Sequence, residues 1–224
     1  MIASNTGPLT LVGGGPVSTS TLNKALTHAP RLIAVDGGAD AVRQAGLMPE
    51  AVVGDLDSIS DAARAAFADI LHHIAEQDST DFAKALRTYP APLTLAVGFM
   101  GARHDHFLSC LTELARSGAR CILLGEEECL CIAPPDLALD VAAGTRVSLW
   151  PMGPGTGRSA GLRWPLDGLE FGPVTRGGTS NEATGPVRLK LDGGPWVLSL
   201  PAEALPVLLD SLEKAPRGGE VARL

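Results

Sequence analysis

Short apolar runs alternate with amphipathic segments through the first part of this chain. The runs are as short as buried strands, and glycine- and aspartate-containing turns separate them from segments of helical periodicity. This alternation is typical of a parallel sheet joined by right-handed crossover helices. We therefore predict a three-layer α/β/α domain over residues 1–132. The predicted strands are 9–12, 31–35, 51–53, 70–75, 93–98 and 120–124, and the predicted helices are 19–26, 39–45, 61–68, 78–89 and 105–117.

The pattern changes near Pro134-Pro135, and we predict a second domain over residues 133–224. Short apolar segments now alternate with turns rich in glycine, proline and aspartate, which indicates an antiparallel sandwich or barrel. The polar run 177–182 is interpreted as a hairpin loop between two strands. The predicted strands are 137–141, 145–150, 161–164, 187–191 and 196–200, followed by a helix over 202–215.

Composition excludes several classes of function. The 224-residue chain has a net charge of −7 and no basic patch, so we expect no nucleic-acid partner. No apolar run is long enough to span a bilayer, and the N-terminus lacks the pattern of a secretory signal. The four cysteines show no disulfide or metal spacing, which suits reduced, buried thiols. We therefore expect a cytoplasmic protein without a membrane partner.

The segment Gly54-Asp55-Leu56-Asp57-Ser58 follows a predicted buried strand. Open α/β sheets bind ligands at the carboxyl ends of their strands. Two carboxylates at i and i+2 on a loop can converge on a hard cation, which prefers oxygen ligands. The alternative is an ordinary polar turn, because glycine, aspartate and serine are also common turn residues.

Other polar side chains stand at the ends of neighbouring predicted strands or the starts of predicted helices. Asp36 is followed by two glycines, which suits a close approach to a nucleotide or metal; alternatively it caps the next helix. Asp78 and Asp81 lie three apart at a predicted helix start, where they either share one face aimed at a site or act as a cap and a dipole partner. Lys84, one turn later, either reaches a phosphate or pairs with Asp81.

Two glycine-containing loops complete the set of candidates. Residues 13–15 follow the first strand and either approach a phosphate through backbone N–H groups or form a plain tight turn. The loop 98–106 brings Arg103, a planar fork suited to phosphate oxygens, next to Asp105 and His106.

In their order and spacing these motifs resemble the thiamine pyrophosphokinase family. The resemblance covers nearly the whole chain, and each motif is short, so the joint presence of all of them carries it. The matching segments are Asp36-Gly37-Gly38, Gly54–Ser58, Gln77–Asp81 with Lys84-Ala85-Leu86, Gly98–His106 and Ser180-Asn181-Glu182.

The resemblance implies an enzyme that transfers the pyrophosphoryl group of ATP to the thiamine hydroxyl, giving thiamine diphosphate and AMP. It implies an ATP-binding α/β domain, a C-terminal antiparallel β-sandwich, a requirement for Mg²⁺, and a homodimer with thiamine bound between subunits. The implied metal ligands are Asp36, Asp55, Asp57, Asp78 and Asp81; the implied catalytic residues are Asp57, Asp81, Arg103 and Asp105. The implied nucleotide contacts are Asp36, Gly37, Asp78, Arg103 and His106, and the implied thiamine contacts are Ser180 and Asn181.

The chain departs from the family pattern at three positions. Gln77 stands where lysine is usual, Ala102 where a second glycine is usual, and Cys110 where asparagine is common. Two other functions fit the motifs. One is a related diphosphokinase acting on another alcohol, such as a pterin-like one, and the other is a binding protein that senses thiamine or nucleotide without catalysis.

Overall fold

The computed structural model describes residues 7–101 and 103–215, so Ala102 lies outside the described residues. The chain divides into two compact units, Met1–Glu126 and Glu127–Leu224. The division falls before the predicted boundary at residue 132, because the strand Glu128–Ile132 pairs with the strand Trp196–Pro201 of the second unit.

The first unit contains a parallel sheet in the order β6-β5-β1-β2-β3-β4. Every residue of β1, β3, β5 and β6 is buried, as expected for parallel strands that are covered on both faces. The α/β class is therefore as predicted, while the three-layer arrangement stays a prediction. The strands are β1 Leu9–Val12, β2 Arg31–Val35, β3 Ala51–Gly54, β4 Leu71–His73, β5 Thr94–Val97 and β6 Cys121–Leu124.

Helices connect these strands close to the predicted positions. Ser18 is the N-cap of the first helix, where its side chain accepts a hydrogen bond from the Thr21 amide. The helices of this unit are α1 Thr19–His28, α2 Gly38–Gln44, α3 Asp61–Ala66, α4 Asp81–Thr88 and α5 His104–Ser117, with a 3₁₀ turn at Ala68–Ile70.

The predicted start of α4 at residue 78 was wrong. The backbone N–H groups of Asp78 and Ser79 donate to the carboxylate of Glu76, and this turn replaces the expected first helical turn. Thr80 is the N-cap instead, with its side chain accepting from Ala83 N. Asp78 therefore lies outside the helix, and the helical face that it was predicted to share with Asp81 does not form.

The second unit is built of antiparallel strands followed by a C-terminal helix. The β-sandwich arrangement stays a prediction. The elements are β7 Glu128–Ile132, β8 Asp136–Leu139, β9 Arg146–Pro151, β10 Gly155–Leu162, β11 Glu170–Phe171, β12 Gly178–Gly193 and β13 Trp196–Pro201, then a 3₁₀ turn Ala202–Ala204 and α6 Leu205–Lys214.

The interpretation of residues 177–182 as a hairpin loop was wrong. Asn181 and Glu182 pair with β9, and residues from Gly178 onward form the start of the long strand β12. The register shifts between Gly178 and Asn181, where Ser180 adopts a left-handed conformation with φ of 59°. Polar residues are tolerated here because this part of the strand is irregular and partly exposed.

Among the described residues, no helix combines the length and the apolar character that crossing a membrane would require.

Candidate active site

A cleft of about 640 Å³ opens in the first unit where β1, β2, β3 and β5 end. This is the edge at which a parallel sheet places its ligands. Strand-end loops and the first turns of α4 and α5 supply the walls. The lining residues are Gly13–Gly15, Val35–Gly37, Asp40, Asp55, Ser58, Gln77, Ser79–Phe82, Lys84, Gly98–Gly101, Arg103, His106 and Cys110.

Three carboxylates form an acidic cluster at this cleft. Asp36, Asp55 and Asp57 each offer an oxygen, and these oxygens lie within 4.8 Å of one another. Asp36 follows β2, while Asp55 and Asp57 follow the adjacent strand β3, so the parallel pairing of two strands brings them together. A set of oxygen donors at this spacing suits a hard divalent cation.

The backbone between Asp55 and Asp57 is held in an uncommon conformation. Leu56 has φ of 63°, which for a residue with a branched side chain costs about 1–3 kcal/mol and persists only when its surroundings enforce it. Here its side chain is buried, and its carbonyl accepts from Arg64 Nη2 at 2.6 Å. Asp57 N donates to Asp55 Oδ1 at 3.3 Å, so the turn folds back on itself and both carboxylates enter the cluster.

Asp36 and Asp55 experience opposite electrostatic surroundings. Burial raises the pKa of Asp36, as does the nearby charge of Asp81, and the hydrogen bonds from Gly37 and Ser58 only partly offset this effect. Burial alone would also raise the pKa of Asp55. Hydrogen bonds from Asp57 N and Gln77, with the charges of Lys84 and His73, lower it instead. A bound cation would relieve the repulsion that Asp36 experiences.

Asp81 adjoins the cluster at the start of α4. Its Oδ1 accepts from Asp55 N at 3.1 Å and from the buried Lys84 Nζ at 2.9 Å. Asp78, by contrast, is not among the described residues that line the cleft or form the acidic cluster. Four of the five predicted metal ligands are therefore joined by these contacts, and Asp78 is not among the described residues that take part in them.

Glu76 is a residue of this region that the sequence did not single out. Its carboxylate accepts from the backbone N–H groups of Asp78 and Ser79 at 2.8 and 3.1 Å, from the Ser79 hydroxyl, and from Arg87 Nη2 at 3.0 Å. These hydrogen bonds lower the pKa of Glu76 to about 2, and the bond from the Ser79 hydroxyl has the largest effect. Glu76 thus organises the loop that carries Gln77, Ser79 and Thr80 into the cleft wall.

If the cleft binds ATP, as the family resemblance implies, the substitution Glu76→Gln should raise the KM for ATP by about tenfold with little change in kcat, because residues that hold the ligand-bearing loop act on binding. Steady-state kinetics test this, with Glu213→Gln on the exposed face of α6 as control. Because its pKa is depressed, Glu76 contributes stability fully above pH 4.5 and loses that contribution as the pH falls towards about 2. The stability difference between wild type and variant should shrink over that interval; a difference independent of pH contradicts the assignment.

Arg103, Asp105 and His106 begin α5, but only Arg103 and His106 line the cleft. Asp105 forms a two-pronged ion pair with Arg103, Nε to Oδ1 at 3.2 Å and Nη2 to Oδ2 at 2.6 Å. This ion pair lowers the pKa of Asp105 and raises the pKa of Arg103, and the hydrogen bonds between the two side chains are the largest cause of both shifts. Both side chains are about two-thirds exposed, so a phosphate can replace this carboxylate as the partner of Arg103 at little cost.

The glycine loop after β1 packs against the loop after β5. Gly13 N and Gly15 N donate to the carbonyls of Val97 and Gly98, both at 2.8 Å. A Cβ on Gly13 would lie 2.7 Å from the Gly98 carbonyl oxygen, so the close approach requires glycine. These two amides are thus engaged within the protein. The Ser18 amide, at the start of α1, donates to Glu126 Oε1, so a carboxylate already meets this helix terminus.

Gln77 and Cys110, the two departures from the family pattern that fall within the described residues, both line the cleft. Gln77 Nε2 donates to Asp55 Oδ2 at 3.3 Å. Burial raises the pKa of the Cys110 thiol to about 12, so it lines the cleft as a neutral group. All four cysteines are buried.

Ser180 and Asn181, the predicted thiamine contacts, lie in the second unit. Asn181 is only 6% exposed, and its side chain connects β12 to the segment after β10: Nδ2 donates to Trp164 O at 2.7 Å, and Oδ1 accepts from Trp164 N at 3.2 Å. Ser180 is exposed, and its amide donates to Ser148 Oγ at 2.9 Å. Asn181 therefore fixes the backbone beneath Trp164, whose side chain is 54% exposed.

We expect Asn181→Ala to lower the free energy of unfolding by about 1–3 kcal/mol, because it leaves the backbone N–H and C=O groups of Trp164 without this partner. Ser180→Ala is the matched control: its backbone amide is retained, so the change should stay within about 0.5 kcal/mol. Urea unfolding of both variants measures the difference. Equal losses in the two variants contradict the structural role of the Asn181 side chain.

Comparison with known proteins identifies related sequences and folds. Residues 22–123 match the family model of the thiamin pyrophosphokinase catalytic domain. No curated protein sequence matches the chain. Thiamin pyrophosphokinase from Candida albicans superposes with a TM-score of 0.75 at 12% identity, over 88% of this chain and 90% of that one.

Two further thiamin pyrophosphokinases share the fold. The enzyme from yeast has a TM-score of 0.75 at 15% identity, over 92% of this chain and 89% of that one. The enzyme from Geobacillus thermodenitrificans has a TM-score of 0.74 at 22% identity, over 87% of this chain and 96% of that one. The acidic cluster, Lys84 and Arg103 all lie within the segment that matches the family model.

Proposed function

We propose a residue-level account of catalysis on the premise that this chain, through the catalytic domain at residues 22–123, belongs to the thiamin pyrophosphokinase family. The reaction moves the pyrophosphoryl group of ATP to the hydroxyl of thiamine, and AMP leaves. The observation that carries the account is the acidic cluster, which shares one cleft with Arg103. Such a transfer is catalysed mainly by positioning and by stabilising charge on phosphoryl oxygens.

The acidic cluster fits Mg²⁺. Its donors are all carboxylate oxygens, and they converge within 4.8 Å of one another. In this account Asp36, Asp55 and Asp57 hold the ion, and Asp81 adjoins them through the Asp55 amide. When bound, Mg²⁺ neutralises charge on the phosphate oxygens during transfer. Asp78 is left out of the proposed ligand set because it is not one of the described carboxylates that converge in the cluster.

Arg103 binds the phosphates in this account. Its planar guanidinium already makes two parallel bonds to Asp105, the geometry that it would use for a phosphate. Asp105 keeps the guanidinium group of Arg103 oriented before ATP binds. His106 and Gly37 line the same cleft, and we propose them as a side-chain contact and a backbone contact for the nucleotide.

Two carboxylates can orient the thiamine hydroxyl, Asp81 and Asp105. Asp81 lines the cleft, and two hydrogen bonds fix one of its oxygens, so we assign this role to Asp81. The second unit, with Ser180 and Asn181, recognises thiamine, and a homodimer completes the site. The four cysteines are buried and show no disulfide spacing in the sequence, which suits a reducing compartment such as the cytoplasm.

The test is product analysis. The purified protein with ATP, Mg²⁺ and thiamine should release AMP and thiamine diphosphate in equal amounts, and EDTA should abolish both. A pterin-like alcohol in place of thiamine should give no AMP above background. AMP release only with the other alcohol identifies a different diphosphokinase. Calorimetric binding of thiamine with no AMP release identifies a binding protein, and either result contradicts the proposal.

A further inference from the structure

Lys84 is a buried cation inside an acidic cleft. Its side chain is 2% exposed, although lysine is almost never fully buried unless it is paired. Its Nζ donates to Asp81 Oδ1 at 2.9 Å, three residues earlier on α4. The same oxygen accepts from Asp55 N at 3.1 Å. Lys84 therefore joins the start of α4 to the loop that carries two of the clustered carboxylates.

The charges around Lys84 are unbalanced. Asp36, Asp55, Asp57 and Asp81 bring four carboxylates to one end of the cleft. The other cation that lines the cleft, Arg103, is paired with Asp105. Lys84 contacts one of these four carboxylates directly, whereas Arg64 reaches the same loop through the Leu56 carbonyl. Mutual repulsion of carboxylates this close is strong in a partly buried site.

We propose that Lys84 is a positioning residue that serves as the built-in counter-cation of the cleft. It holds Asp81 against the Asp55 amide and offsets part of the carboxylate charge while no divalent cation is bound. The fixed positive charge also repels an incoming cation, so the lysine weakens metal binding while it keeps the empty site folded. This inference rests on the proposed function, because it assumes that the acidic cluster receives a divalent cation.

The variant Lys84→Gln tests the inference. Glutamine can still donate a hydrogen bond towards Asp81 but carries no charge. Mn²⁺ binding is measured by electron paramagnetic resonance at pH 8, without nucleotide. We expect the Kd for Mn²⁺ to fall by at least about tenfold, since a unit charge is removed a few ångströms from a divalent ion. Thermal unfolding is the second readout: the gap between Tm in EDTA and Tm in Mg²⁺ should be wider in the variant than in wild type.

Lys214→Gln is the matched control. It removes the same charge from an exposed lysine that pairs with Asp210 on α6, and both readouts should stay at wild-type values. An unchanged or weaker Mn²⁺ affinity in Lys84→Gln overturns the inference, and so does an equal change in Lys214→Gln. If Lys84→Gln is unfolded in EDTA, recovery of the fold on adding Mg²⁺ supports the inference, and failure to recover overturns it. Wild-type protein that binds no Mn²⁺ contradicts the proposed function instead.

Discussion

Replacing Asp57 with asparagine should lower kcat by about a hundredfold or more, as loss of a key electrostatic group does. Asparagine keeps the size of the side chain and its Oδ1, which accepts from Ser58 Oγ at 2.7 Å in the native protein. What it removes is one negative charge from three carboxylates that converge within 4.8 Å. Asp57 is exposed, so the fold should be little affected and the loss should appear in turnover. Initial rates of AMP release at saturating ATP and thiamine measure it.

Asp69→Asn is the control for this experiment. Asp69 is an exposed aspartate of the same unit that lies outside the acidic cluster, and its replacement should leave kcat within about twofold of wild type, as for surface changes away from special features. A folded Asp57→Asn protein with near-normal turnover would remove Asp57 from the metal role.

Gly54→Ala should strongly reduce activity, because the added methyl group would crowd the side chains of Asp36 and Asp81. A Cβ on Gly54 would lie 3.1 Å from Asp36 Cβ and 3.1 Å from Asp81 Cγ, so both carboxylates must shift. Gly54 also has φ of 148°, a conformation that side-chain-bearing residues rarely adopt, at a cost of about 1–3 kcal/mol. We expect kcat/KM to fall by at least about a hundredfold, because small displacements of catalytic groups have effects of this size.

Gly185→Ala separates backbone strain from crowding. Gly185 has a similar φ of 153°, but nothing lies within 4 Å of the added Cβ. The two variants should therefore lose comparable stability from the backbone, while only Gly54→Ala loses activity. Thermal unfolding and kinetics of both variants measure the two effects. Equal losses of activity would show that Gly54 matters for its backbone conformation alone and not for the spacing of the carboxylates.

The parallel sheet could be predicted because its strands carry a strong local signal. Runs such as Leu9–Val12 and Cys121–Leu124 are apolar throughout, since they are buried on both faces. Strand ends in such a sheet meet at one edge, where Asp36 lies close to Asp55 and Asp57. The family resemblance, not the strand pattern alone, implied these three residues as one set of metal ligands.

The errors came from tertiary partners that local sequence does not reveal. The start of α4 was placed too early because Asp78 is a good cap by type, whereas Glu76 binds its amide and delays the helix to Asp81. The beginning of β12 looked like a loop because its residues are polar and small. Pairing of Asn181 and Glu182 with β9 overrides that preference.

The role of Lys84 shows the same limit. The sequence allowed a phosphate contact or an ion pair with Asp81, and helical spacing fitted both. The structure shows the ion pair, with the lysine buried and its Nζ 2.9 Å from Asp81 Oδ1, and neither its burial nor this contact follows from residue type. Strand β7 was missed because its apolar residues include Cys129 and Cys131, which were interpreted as buried thiols without an assigned element.

We propose above that the acidic cluster holds the divalent cation used in the transfer. Anomalous X-ray diffraction from crystals grown with Mn²⁺ and a non-hydrolysable ATP analogue tests it most directly. We predict an anomalous peak at coordinating distance, about 2.0–2.3 Å, from carboxylate oxygens of Asp36, Asp55 and Asp57. An ordered cleft with nucleotide bound, but with no peak at these three residues or with the peak elsewhere, would contradict the account.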